Sequence, residues 1–268
     1  MKLADSTEPG RIGLLVAALA FAVMPFALMA QTPTQPPPLP QTGLVIVLDP
    51  AHGGTDTGAR GQGATVEKDI VLGFARTVRA ELERQGFHVV MTRNDDSDPT
   101  YDDRATTANV RRDAIFITFH ISSTGTFGAA RTYFYQFPNP NPPPAPPAST
   151  SSATEKAAST AAPSAPPAPL HPGLIAWEEA QRPYEEASHR FADILQGELS
   201  QRFPGSPATP AAAAVRGLRS VAAPAVAVEI SSVSISDSAQ LTALAAPLAT
   251  SIVRGIIAFR PMGSAGAK

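Results

Sequence analysis

The chain has 268 residues, 28 of them proline, no cysteine and a formal net charge of −2. Without cysteine it has no disulfide framework, no thiolate metal site and no cysteine nucleophile. The absence of a long basic run argues against nucleic acid as a partner. The prolines gather in two stretches, so the folded part is smaller than the length suggests, one ordinary domain with extras.

Lys2 and Arg11 precede an uncharged apolar run from Ile12 to Ala30, the layout of a signal peptide or signal anchor over residues 1–30. A helix of that length would extend about 28 Å, enough to span a hydrocarbon core, and Leu28 is larger than the usual residue before a cleavage site. Cleavage and anchoring therefore both stay open. Either predicts export to the periplasm or cell envelope, with residues 12–30 as an inner-membrane anchor if they are retained. Residues 31–42 are a Pro-rich linker.

The character changes at Leu44. Five apolar residues to Leu48, stopped by Asp49-Pro50 and Gly53-Gly54, predict a strand covered on both faces, ending in a loop that presents His52. Glu67 opens a helix whose apolar positions Ile70, Val71, Phe74, Val78 and Leu82 fall at helical spacing, and Gly86 stops it. Phe87 to Thr92 reads as a second strand. Tyr101 to Arg112 reads as a short helix with Asp102 or Asp103 near its amino end and Ala105 and Ala108 facing inward. Ala114 to Phe119 is a third strand ending at His120. This rhythm predicts an α/β fold with a mainly parallel sheet flanked by helices.

Arg131 to Phe137 alternates and is aromatic, as expected of a strand near an edge. Residues 138–172 are dominated by Pro, Ala, Ser and Thr and predict a disordered insertion. Helical spacing is clear from Ala187 to Phe203, with Phe191, Ile194, Leu195 and Leu199 on one face. Pro204 to Pro210 is a loop, and Pro224 to Ile230 a fifth strand. Asp237 caps a last helix running to about Phe259, and residues 261–268 form a tail.

His52, His120 and Glu229 all fall at strand ends and Glu67 at a helix start, so the four converge on the carboxyl edge of the sheet, where ligands bind in such folds. Two neutral imidazoles and one carboxylate make a zinc shell with an open position, and a further carboxylate nearby can manage protons. The bland alternatives are a helix-start carboxylate at Glu67, a packing residue at His120, and an ion pair between Glu229 and Arg216 or Arg219. His88, His171 and His189 read as surface residues. Asp56 suits a carboxylate that orients a histidine, while Asp49, Arg93, Arg104 and Asn109 suit braces for loops and helix joints.

Asp49-Pro-Ala-His-Gly-Gly, Gly58-Ala, Glu67-Lys-Asp, Gly86-Phe, Thr92-Arg, Arg104 with Ala108-Asn109, Phe119-His120 and Pro224-Ala-Val-Ala-Val-Glu resemble, in order and spacing, the zinc-dependent N-acetylmuramoyl-L-alanine amidases of the amidase-3 type. The resemblance covers residues 44 to 259 without the insertion. It implies a catalytic domain over residues 43–260, Zn2+ held by His52, Glu67 and His120 at the carboxyl ends of the strands, and Glu229 as the catalytic acid/base. It also implies peptidoglycan as substrate, cleaved between N-acetylmuramic acid and L-alanine for wall remodelling or daughter-cell separation, and an activator protein at the division site.

The chain departs from the pattern at Ala51, where the family has glycine, at Ile121-Ser122 after the second histidine, and at Ile230-Ser-Ser-Val after the glutamate. These departures keep open a pseudo-amidase that binds peptidoglycan or a division partner without cleaving it, and beside it a zinc peptidase acting on cross-link peptides. Some members of the family cover the zinc with a helix, so the acidic stretch from Trp177 to Glu186 reads either as such a plug or as a solvated charged face.

Overall fold

In the computed structural model of the protein, residues 43–61, 64–123, 125–138, 175–231 and 238–259 are described. The expected signal segment 1–30, the linker 31–42, all but the first residue of the insertion 138–172, Asp237 and the tail 261–268 lie outside them. The elements in order are β1 (Val45–Pro50), α1 (Glu67–Arg84), β2 (His88–Met91), α2 (Tyr101–Asn109), β3 (Ala114–Ile121), β4 (Ala130–Phe134), two 3-10 turns (Trp177–Glu179 and Arg182–Tyr184), α3 (Glu185–Arg202), β5 (Ala211–Ala212), α4 (Arg216–Arg219), β6 (Ala225–Ile230), α5 (Ser238–Ala243) and α6 (Ala245–Phe259).

The strands form one six-stranded sheet in the order β2-β1-β3-β6-β4-β5. β1 pairs in parallel with β2 and β3, and β3 with β6. β4 runs antiparallel to β6, with the two-residue β5 parallel to it at the edge. The sheet is therefore mixed and mostly parallel, as the repeating strand-helix pattern predicts. Because the chain passes through α1 to one side of β1 and through α2 to the other, the loops after β1 and β3 diverge. That divergence opens a crevice at the carboxyl ends of the two strands.

Strand alternation decides what faces that crevice. Ile46, Leu48, Ile115, Ile117, Phe119, Val226 and Val228 point into the larger core, against Phe74 and Val78 of α1, Phe191 and Leu195 of α3, and Leu248 and Ile252 of α6. Each fully buried side chain of this kind contributes about 1.5–3 kcal/mol. The opposite face carries Val47, Phe116, Ala225 and Ala227 under Ala105 and Ala108 of α2 and Leu218 of α4. The same alternation continues on this thinner side to Asp49, His120 and Glu229. Its cover is two short helices, so the strand ends beyond them stay accessible.

Some boundaries differ from the sequence reading. β3 runs on to Ile121, so His120 lies inside the strand and not after it. α2 is capped by Thr100, whose side chain accepts from the amide of Asp103 while the Asp103 carboxylate takes the amide of Thr100, a reciprocal capping box. It ends at Asn109, whose side-chain amide donates to Ser220 O at 2.8 Å and whose oxygen accepts from Ala222 N at 2.7 Å. These bonds tie α2 to the segment before β6. The last helix is two helices, α5 and α6. Together they form a stretch apolar and long enough to cross a membrane, Ser238–Phe259, but half of it is buried in the protein core, which accounts for its composition.

Candidate metal centre

The loop after β1 is built to present one imidazole. His52 has a φ of 63°, a left-handed conformation uncommon for a residue with a side chain. Two buried guanidinium groups hold the backbone there. Arg104 donates to Pro50 O at 3.0 Å, to His52 O at 2.9 Å and to Asp49 Oδ1 at 2.7 Å. Arg93 donates to Pro50 O at 2.8 Å, to Ala51 O at 2.9 Å and to Lys68 O at 2.8 Å. The left-handed residue is His52 and not Ala51, so alanine at 51 meets no such strain. A side chain at Gly53, by contrast, would collide with the carbonyl of Ser97.

Glu67, the first residue of α1, is 4% exposed and is the hub of the cluster. Its Oε2 accepts from Ala59 N at 2.8 Å and its Oε1 from Ile121 N at 2.9 Å. The same Oε1 lies 3.1 Å from His52 Nε2 and 3.2 Å from His120 Nδ1. His52 Nδ1 donates to Asp56 Oδ2 at 2.7 Å, which turns Nε2 inward, in keeping with the orienting role expected of Asp56. His120 Nε2 faces Thr118 Oγ1 at 3.5 Å, and its Nδ1 points to the centre. One potential ligand atom from each of His52, Glu67 and His120 lies within 4.8 Å of the others.

Electrostatics follow from this geometry. Burial opposes the charge on Glu67, but the two imidazoles and the amides of Ala59 and Ile121 outweigh it and hold the carboxyl well below the usual range. The Glu67 hydrogen bond raises His52 to about 9 against the cost of burial, with help from Asp56. At neutral pH a proton thus binds where two nitrogens and a carboxylate oxygen converge, and a cation can compete for the same place.

Glu229 lies beside this cluster. It pairs in register with His120 across the parallel β3–β6 ladder, so both side chains leave the same face. Its Oε1 accepts from the hydroxyl of Tyr133 at 3.2 Å. The ion-pair alternative does not hold: Arg216 lies over the Tyr101 ring at 5.0 Å, and Arg219 donates to Glu178 O at 2.8 Å. Tyr133 escaped the sequence reading, since only the β4–β6 register brings it to Glu229. Of the other histidines, His88 is exposed, His189 stacks on Phe134 at 4.3 Å, and His171 lies outside the described residues.

Two cavities, of about 530 and 290 Å3, flank the cluster and share His120 and Val215. The larger is lined by His52, Asp56 and Tyr101, the smaller by Glu229 and Tyr133. Nothing in the acidic stretch plugs them. Glu179 pairs with Arg182 at 2.9 Å, Glu185 accepts from Phe137 N at 3.0 Å, and none of Glu178, Glu179, Glu185 and Glu186 lines either cavity. Among the described residues the stretch reads as a solvated charged face.

Residues 46–258 match a family model described as N-acetylmuramoyl-L-alanine amidase. The N-acetylmuramoyl-L-alanine amidase AmiC of Neisseria meningitidis serogroup B is 37% identical over 113 residues, which are 41% of this chain and 27% of that protein. The chain therefore matches well under half the length of that relative. AmiC2 of Nostoc punctiforme superimposes with a TM-score of 0.56 at 20% identity, over 82% of this chain and 98% of that one. The CwlD amidase from Clostridioides difficile, solved in complex with the GerS lipoprotein, does so with a TM-score of 0.54 at 19% identity, over 80% of this chain and 97% of that one. At these identities the two structures share a fold with the chain.

Proposed function

The chain belongs to the N-acetylmuramoyl-L-alanine amidase family, and on that premise we propose that it is a zinc hydrolase of peptidoglycan. It cleaves the amide between N-acetylmuramic acid and L-alanine, in wall remodelling or daughter-cell separation. The observation that carries this reading is the convergence of His52, Glu67 and His120, with ligand atoms within 4.8 Å of one another, beside a carboxylate, Glu229, in register with His120.

Two imidazoles and one carboxylate suit zinc with a position left for substrate or water. His52 Nε2, a Glu67 carboxylate oxygen and His120 Nδ1 would hold it. When bound, the cation supplies Lewis acidity, which polarises a carbonyl and lowers the pKa of water to about 7. The protein groups do the rest. Asp56 keeps His52 Nε2 aimed inward, and Arg93 and Arg104 keep the loop closed behind it. Glu229 takes a proton from the attacking water and returns it to the nitrogen that leaves as the amino group of L-alanine. Tyr133 donates to Oε1 of Glu229 and helps hold the carboxylate in place for that transfer.

The setting belongs to the same proposal. Residues 1–30 direct export and anchor the chain if uncleaved, 31–42 link them to the 43–260 catalytic domain, into which 138–172 are inserted, and the enzyme works in the cell envelope. An activator protein at the division site is part of the proposal; the CwlD amidase, solved in complex with the GerS lipoprotein, is a relative in fold that has a protein partner. Digestion of purified sacculi with and without a zinc chelator, scoring new L-alanine amino groups, tests the activity. Chelator-sensitive release of intact stem peptides is expected. The variant Glu229→Gln should keep its zinc and lose turnover; release by that variant, or none by the zinc-loaded native protein, would refute the reading.

A further inference from the structure

One cation that lines the larger cavity, the exposed Arg216, has no anionic partner among the described residues. Among its acidic lining residues, Asp49 pairs with Arg104 at 2.7 Å, Asp98 with Arg104 at 3.4 Å, and Asp56 with His52 at 2.7 Å. Arg104 itself is buried, and its donors go to those carboxylates and to backbone carbonyls. Arg216 also lines this cavity, yet among the described residues no carboxylate or carbonyl accepts from it. Its guanidinium lies over the ring of Tyr101, 5.0 Å from the centroid, and that ring is 51% exposed.

A guanidinium over an aromatic ring is attracted to the ring face while its N–H groups remain free to donate. The usual entropic cost of ordering a long side chain on binding is then partly met before a ligand arrives. A planar fork of donors matches a carboxylate, which it can take in a bidentate manner. Gly217, next along α4, would place a Cβ 3.6 Å from the Tyr101 ring, so the α4 backbone already abuts it and holds Arg216 at this wall. His52 and His120 line the same cavity, so a ligand held by Arg216 shares that cavity with the metal centre.

We infer that Arg216, aligned on the Tyr101 ring, is a subsite for a free carboxylate on the peptide half of the substrate, one residue beyond the alanine. This rests on the reading of the site as a muramoyl-peptide amidase and names the part of the substrate that it selects. The larger cavity thereby takes the peptide, and the charge of its second residue sets specificity.

Binding and cleavage separate the two claims. Two N-acetylmuramyl-L-alanyl-D-glutamyl ligands are compared that differ only at the glutamate α-carboxyl, free in one and a carboxamide in the other, with the γ-carboxyl blocked as a methylamide in both. Calorimetric titration into the metal-free full chain should show the free acid binding about tenfold more tightly, the scale of one charge-assisted hydrogen-bond pair. Arg216→Ala should abolish the difference, and Arg216→Lys should retain part of it. Equal binding of the two ligands, no binding of either, or a preference that survives Arg216→Ala would overturn the subsite. Release of L-alanyl peptide from the same ligands by the zinc-loaded protein is scored separately, so a failure of hydrolysis is not mistaken for a failure of recognition.

Discussion

Gly58 offers the sharpest test of the centre, because it touches the cluster without belonging to it. Its φ is 63°, and a Cβ added there would lie 2.5 Å from Glu67 Oε2, 2.6 Å from His52 Cδ2 and 2.8 Å from His52 Nε2. Alanine at this position therefore costs about 1–2 kcal/mol for its left-handed backbone. It must also displace a buried carboxylate bound to Ala59 N at 2.8 Å, or the imidazole beside it. Displacement of groups that aim a metal ligand typically lowers affinity about 10- to 100-fold. Gly58→Ala should show that loss in a competition titration against a chromophoric zinc chelator, together with a lowered thermal midpoint of the metal-free protein. Gly73 is the control. It is exposed on α1 with nothing within 4 Å of an added Cβ, so Gly73→Ala should stabilise the protein by about 0.5–1 kcal/mol and leave zinc affinity unchanged. Native zinc affinity in Gly58→Ala would refute the assigned role of the cluster.

His52 carries its proton to about 9 in the metal-free protein, so a cation held at the cluster must displace it. Chelator competition should show affinity rising about tenfold per pH unit between neutrality and that value and levelling above it; a flat profile from pH 7 to 9 would contradict the assignment. The sign for stability is the reverse. With its pKa raised from 6.5 to about 9, His52 contributes stability that is full below 6.5 and lost as pH rises through 9. The metal-free thermal midpoint should therefore decline over that window, and an increase would count against the Glu67–His52 pairing. Arg104 and Asp49 form a pair in which each side chain is 5% exposed, so Arg104→Met strands a buried carboxylate and should cost about 3–5 kcal/mol in denaturant unfolding. Restoration of part of that loss by Asp49→Asn in the same chain checks that the stranded charge is the cause.

What could be read in the sequence had a local physical signal. The strands at Val45–Pro50 and Ala225–Ile230 show as short apolar runs, and α1 as a stripe beginning at Glu67. β5, with two residues, and α4, with four, are too short to carry a period, and their positions depend on β4 and Tyr101, which are distant in the chain. The strain in the loop has no such signal: the departure from glycine draws attention to Ala51, which has no positive φ, and the left-handed residue is His52. Only the carbonyl bonds of Arg93 and Arg104, made across some 40 to 55 residues of sequence, explain how an imidazole can sit there.

Glu67 shows where local reasoning meets its limit. Taken alone it is an acid at a helix start, stabilised by the dipole, and that description remains true in the folded protein. What makes it a candidate ligand is the amide of Ile121 on β3 and the amide of Ala59 in the preceding loop, which hold a carboxylate charged and fixed while two histidines are brought to it. Neither bond has a pattern in the sequence around residue 67. Both arise because β3 lies beside β1, and the 2-1-3 strand order brings the loop, the helix start and the strand end to one point. The chemistry is thus a property of the sheet order, which a motif can identify by resemblance but local propensity cannot derive.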